Sequence, residues 1–129
     1  MSAERPHIFL LDDEERMLEL LTSFLEDFDE FHVRSALSAE QALEDLAAEP
    51  ADVAVVDVRL PGMSGVDFIL AAAPRGLCRH FILHTGSTDM SLTKKLEELG
   101  LTERDLFFKP VGADQLLERI RELLPKQGE

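Results

Sequence analysis

Five of the six residues from Val53 to Val58 are valine or alanine, and the sixth is an aspartate, Asp57, near the far end of the run. Such a run reads as a strand buried on both faces, as in a parallel sheet. A carboxylate suits it only where the strand leaves the sheet, so Asp57 is expected at the carboxyl end. The loop from Arg59 to Gly65 holds a proline and two glycines and parts the strand from the next helix. Ligands of open α/β sheets bind outside the carboxyl ends of the strands, which is where Asp57 falls.

The rest of the chain repeats this alternation. His7 to Leu11 is an apolar first strand that stops at Asp12, Asp13, Glu14 and Glu15. A helix N-terminus accounts for the two glutamates, but Asp12 and Asp13 stand too close to the strand for that role to suffice. Met17, Leu20, Leu21, Phe24 and Phe28 recur at helical spacing and predict a first helix whose stripe is core. After a break at Asp29 and Glu30, His32 to Ala36 reads as the second strand. Ser38 to Gln41 has capping-box spacing for a second helix that buries Ala39, Ala42, Leu43 and Leu46 and closes at Pro50. A third helix runs through Val66, Ile69 and Leu70 until Pro74 and Gly76. Phe81 to His84 is the fourth strand and ends on Thr85. Gly86 to Asp89 is a break, and Leu92, Leu96 and Leu99 carry a fourth helix that Gly100 terminates. Leu106 to Phe108 is the fifth strand, followed by Lys109 and Pro110, and a last helix buries Leu116, Leu117, Ile120, Leu123 and Leu124.

Five strands alternating with five helices predict an α/β fold: a doubly wound, five-stranded parallel sheet, (βα)5 and flavodoxin-like, with strand order 2-1-3-4-5. The 129 residues suit one domain, with a core from about 7 to 124 and no output domain after it. With 13 basic against 26 acidic side chains, the net charge of −13 disfavours direct binding of nucleic acid or insertion at an anionic membrane and favours a cation or a basic partner. A single cysteine, Cys78, and the lack of a long apolar run predict a cytoplasmic protein without a disulfide.

In that topology the carboxyl ends of strands 1, 3, 4 and 5 bring together Asp12 and Asp13, Asp57, Thr85 and Lys109. Three carboxylates repel one another and invite Mg²⁺, which takes hard oxygen ligands. A carboxylate can attack phosphorus to form an aspartyl phosphate, with a metal, an ammonium and a hydroxyl neutralising the transferred oxygens.

These motifs, in this order and spacing, resemble the receiver domain of two-component response regulators, of the chemotaxis-regulator kind. The resemblance runs from His7 to about Leu124. It implies that Asp57 is the phosphoacceptor, served by a histidine kinase, a histidine phosphotransfer protein or a small phosphodonor. It implies that Mg²⁺ is bound by Asp13, Asp57 and the main-chain carbonyl of Arg59, with Asp12 acting through water. Thr85 and Lys109 are implied to hold phosphoryl oxygens, and the Lys109–Pro110 bond to be cis. Such a module is not an enzyme with an external substrate; it assists its own phosphorylation and dephosphorylation and switches contact with a downstream protein. Arg59 and Ser87, beside the site, are expected to tune the phosphoryl lifetime.

The chain departs from the family at several points. Leu106 stands where an aromatic residue often rotates inward, and Phe107 or Phe108 is expected in the core. Gly86 replaces the commoner alanine and predicts a more mobile loop. The segment Leu101 to Asp105 is about two residues longer than usual. His84 is expected to be half-buried on the face opposite Thr85 and not to be a ligand. Two other readings compete: a receiver cut from a longer regulator with a DNA-binding or enzymatic output, and a small Mg²⁺-dependent phosphohydrolase. Against the latter, Arg59 occupies the position where a second carboxylate would serve as general acid and base. A flavodoxin-like cofactor site is disfavoured because four acidic residues follow strand 1, where a phosphate loop needs donors.

Overall fold

The structure, a computed structural model, describes residues 5–87 and 90–125. The elements are β1 (His7–Leu11), α1 (Glu15–Glu26), β2 (His32–Ala36), α2 (Ala39–Ala48), β3 (Ala51–Val56), α3 (Gly65–Ala72), β4 (Cys78–Thr85), α4 (Lys94–Glu98), β5 (Leu106–Phe108) and α5 (Ala113–Leu123). Every strand pairing is parallel, and the order β2-β1-β3-β4-β5 is the expected one. Side chains of the inner strands alternate between two cores. Phe9, Leu11, Ala54, Val56, Phe81 and Leu83 pack with α2, α3 and Leu96 of α4. Ile8, Leu10, Val53, Val55 and Ile82 pack with α1 and α5. Burial on both faces is why these strands read as unbroken apolar runs.

Several boundaries differ from the sequence reading. β3 starts at Ala51 and ends at Val56, so Asp57 lies just past it, its amide still donating to the Leu11 carbonyl at 2.8 Å. β4 starts at Cys78 because its polar residues Arg79 and His80 lie near the sheet's amino edge, where they escape full burial. α4 is a five-residue helix capped by Thr93, whose hydroxyl accepts the Leu96 amide, so Leu92 precedes it. Gly100, at φ +101°, ends that segment as expected. The buried stripe of α1 is Leu18, Leu21 and Leu25; Leu20 is 63% exposed because it lies off that stripe, and Phe28 is 39% exposed because it lies past the end of the helix. Only half of the capping box forms at α2: Ser38 accepts the Gln41 amide, but the Gln41 side chain turns to Asp45 instead. Leu43, Leu123 and Leu124 pack at the margins of the cores. Phe107 is partly buried against α1 and α5, whereas Phe108 is exposed. Residues 88 and 89 of the predicted break lie outside the described residues.

The long segment before β5 is built around a buried ion pair. Glu103–Asp105 forms a 3₁₀ turn capped reciprocally by Thr102 and Asp105. The other Asp105 oxygen accepts from Arg119 Nε of α5 at 2.8 Å, with side-chain exposures of 4% and 12%. Asp105→Ala should therefore cost about 2 kcal/mol in denaturant unfolding, because it removes the buried partner of the Arg119 guanidinium and leaves it the more exposed Glu122, 3.1 Å away. Destabilisation below about 1 kcal/mol would show that water replaces the carboxylate.

Candidate functional site

β1 and β3 are adjacent in the sheet, so the residues just past their ends converge. Asp12 is buried: one carboxylate oxygen accepts the Glu14 amide at 2.9 Å and the other accepts Lys109 Nζ at 2.9 Å. Asp13 is exposed. One ligand oxygen from each of Asp12, Asp13 and Asp57 lies within 4.8 Å of the others. Lys109, delivered by the end of β5, also stands 3.5 Å from Asp57 Oδ2 and 4.0 Å from Glu14 Oε1. The Lys109 amide donates to the Thr85 carbonyl at 2.7 Å, and the Lys109–Pro110 peptide is cis.

Two sequence candidates are placed differently from this cluster. The Thr85 hydroxyl is fully buried and accepts the Ser87 amide at 3.0 Å; among the described residues it makes no hydrogen bond to Asp57. The Arg59 amide helps the charged form of the Asp57 carboxylate, and the Arg59 side chain donates to Ser87 Oγ at 3.1 Å, bridging the β3–α3 and β4–α4 loops. Gly86 is not in the left-handed region and has open space around it.

The charges set one another. Burial, then the Asp12 charge, raises the Asp57 pKa against the opposing effects of the Lys109 charge and the Arg59 amide. For Lys109 burial alone would lower the pKa, but the hydrogen bond and charge of Asp12, with Asp57 and Glu14, raise it overall. The ammonium is thus held in its charged form, whereas Asp57 ionises against resistance. The resisted ionisation favours a further cation among the carboxylates, and the Lys109 charge already offsets part of the same repulsion.

His84 is 3% exposed and therefore more deeply buried than the sequence suggested. It follows Ile82 on the α1 and α5 side of the sheet. Burial, then the Lys109 charge, pushes its pKa down to about 4. Because the folded state disfavours the imidazolium, this group contributes stability above pH 6.5 that is lost as the pH falls towards 4. His84→Phe should remove up to about 3 kcal/mol of acid destabilisation over that window in pH-dependent melts. An unchanged slope would place the proton elsewhere.

Gly65, which the sequence marks only as part of a loop, shapes the site. A Cβ at Gly65 would lie 2.1 Å from the Asp57 carbonyl oxygen and 2.9 Å from Val56 Cγ1. Nothing about a helix start requires glycine after the Ser64 cap, and that mismatch was the available signal. Glu40 was also missed as a contact: its Oε2 accepts the Met63 amide at 3.1 Å across 23 residues, a distance no local pattern reveals.

Comparison with known proteins agrees with this architecture. The family model of the response regulator receiver domain matches residues 8–121. The hydrogenase transcriptional regulatory protein HoxA of Cupriavidus necator is 30% identical over 129 residues, which cover 99% of this chain and 26% of that protein. The C4-dicarboxylate transport transcriptional regulatory protein DctD of Rhizobium meliloti is 34% identical over 119 residues, covering 90% and 25%. The chain thus spans about a quarter of the length of these two regulators. A CheY-like receiver domain protein from Methanospirillum hungatei JF-1 superposes with a TM-score of 0.77 at 28% identity, covering 92% of this chain and 93% of that one. The chain belongs to the receiver domain family of response regulators, the phosphoacceptor modules of two-component signalling. No helix among the described residues is long and apolar enough to cross a membrane.

Proposed function

We propose that Asp57 is the phosphoacceptor of this receiver and that its phosphorylation, dependent on Mg²⁺, switches contact with a partner protein. The observation that carries the reading is the cluster of three carboxylates within 4.8 Å with the Lys109 ammonium against two of them. Three hard oxygen donors with a resisted ionisation at Asp57 fit Mg²⁺. Asp13, Asp57 and the Arg59 carbonyl would hold it, with Asp12 acting through water. The bound ion supplies charge neutralisation for the transferred phosphoryl oxygens.

An Asp57 carboxylate oxygen attacks phosphorus of a phosphohistidine on a kinase or phosphotransfer protein, or of an acyl phosphate. A carboxylate O–P bond forms and the donor's N–P or O–P bond breaks, its electron pair leaving with the donor. Lys109 gives up part of its contact with Asp57 to hold a phosphoryl oxygen, and the Thr85 hydroxyl leaves the Ser87 amide to hold another. Arg59 and Ser87, hydrogen-bonded over the mouth of the site, govern access of the water that ends the state. The much longer regulators among its relatives favour a second reading, in which this chain is the receiver part of a protein whose output is transcriptional.

The chain has neither tryptophan nor tyrosine, so Mg²⁺ binding is best read by calorimetry. Asp13→Ala should weaken it by about tenfold or more, since one of three carboxylates is gone. Lys109→Ala should slow phosphoryl uptake by about a hundredfold while Mg²⁺ still binds, the scale of losing one charge-stabilising donor. Wild-type behaviour of both variants would refute this assignment.

A further inference from the structure

We propose that Glu40 is a positioning residue for the phosphoacceptor site: from the first turn of α2 its carboxylate holds the crown of the β3–α3 loop, and with it the Arg59 main chain, in the shape that Asp57 and its metal require. The inference rests on the reading of Asp57 and Mg²⁺ given above.

The loop from Val58 to Ser64 is secured at both ends. Just before it the Asp57 amide donates to the Leu11 carbonyl at 2.8 Å, and the Arg59 amide favours the charged form of the Asp57 carboxylate. At its end the Gly65 amide donates to the Val58 carbonyl at 2.9 Å, and Ser64 caps α3. Between these ends, Leu60 and Met63 rest partly on the core, and Pro61 has no amide to give. Among the described residues the only hydrogen bond made by residues 60–63 is the one from the Met63 amide to Glu40 Oε2.

Gly62 meets the same carboxylate. Its φ is +79°, and a Cβ there would lie 2.9 Å from the same Glu40 oxygen. The backbone at the crown therefore lies against the carboxylate, and the positive φ there is one that glycine adopts without strain. The base of the clamp is firm, since Ala39 and Ala42 on either side of Glu40 are fully buried. A carboxylate accepting a backbone amide makes a charge-assisted bond, stronger than the neutral kind.

The experiment compares Mg²⁺ titrations of the wild type, Glu40→Ala, Glu40→Gln and Ser38→Ala. Glu40→Ala should raise the Mg²⁺ dissociation constant about fivefold, the scale of a charge-assisted bond discounted for exposure. Glu40→Gln loses the charge but keeps an acceptor oxygen, so it should stay within about twofold of wild type. Ser38→Ala removes the α2 cap, lowering stability without touching the loop, and should bind Mg²⁺ as the wild type does.

Wild-type affinity in Glu40→Ala would overturn the proposal. So would an equal loss in Ser38→Ala, which would reduce Glu40 to a contributor to helix stability, or an equal loss in Glu40→Gln, which would make the effect one of net charge. If the wild type itself binds no Mg²⁺, the reading of the site fails and the positioning role falls with it. Hydrogen exchange of the Met63 amide in metal-free protein reports separately on the clamp, with exchange about tenfold faster expected in Glu40→Ala.

Discussion

Asp57→Asn should accept no phosphoryl group from any donor, and in metal-free buffer at neutral pH it should melt at a higher temperature than the wild type. The first half follows from chemistry, since an amide cannot take the place of the carboxylate nucleophile. The second follows from linkage. Burial, followed by the Asp12 charge, raises the Asp57 pKa above its ordinary 3.8. The folded state therefore holds this proton more tightly than the unfolded one. Its stabilising contribution is complete below that ordinary value and disappears as the pH rises through the raised one. At neutral pH the ionised carboxylate is a net burden even with Lys109 3.5 Å away, and asparagine removes it. Mg²⁺ relieves the same burden in the wild type. At a hundred times its dissociation constant it should add about 2.7 kcal/mol, and the variant should gain less. Thermal melts of both proteins with and without Mg²⁺ check this. A metal-free variant that melts below the wild type would mean that the Lys109 contact outweighs the repulsion.

Gly65→Ala should be the most damaging single methyl group that can be added near the site. The new Cβ would lie 2.1 Å from the Asp57 carbonyl oxygen and 2.9 Å from its carbonyl carbon, so backbone has to move. The expected cost is about 3 kcal/mol in denaturant unfolding, the upper end of ordinary overpacking, because neither neighbour is a flexible side-chain tip. The movement also shifts Asp57 itself, so phosphoryl uptake should fall in the fraction that remains folded. Gly86→Ala is the matching control: with open space and no positive φ it should leave stability within about 1 kcal/mol or raise it slightly. Equal stability of the two variants would show that α3 slides away from Asp57 freely.

Much of the fold was legible because the sheet is buried on both faces. Continuous apolar runs and the polar residues that end them located β1, β3, β4 and β5 and placed Asp12, Asp13, Asp57 and Lys109 at one edge, whereas the edge strand β2 is largely polar and was marked only by its place between two helices. Failures came where burial is partial. Arg79 and His80 hid the start of β4, at an edge where polar side chains reach solvent. In α1 the apolar residues are too numerous for periodicity alone to choose the stripe, so Leu20 falls outside the core, and Phe28 does so because the helix ends at Glu26 before reaching it. Phe108 lies near the end of an edge strand of three residues, where alternation has too little length to decide. Contacts that join distant segments, such as Glu40 to Met63 and Asp105 to Arg119, leave no trace in local spacing at all.

The most direct test is the intact mass of the wild-type protein after incubation with Mg²⁺ and an acyl phosphate donor, followed by exposure to hydroxylamine. The account predicts one phosphoryl adduct that requires Mg²⁺, is removed by hydroxylamine as an acyl phosphate must be, and maps to Asp57. An adduct that forms without metal, resists hydroxylamine or maps to another residue would contradict it, as would the absence of any adduct when a phosphorylated histidine donor is also supplied.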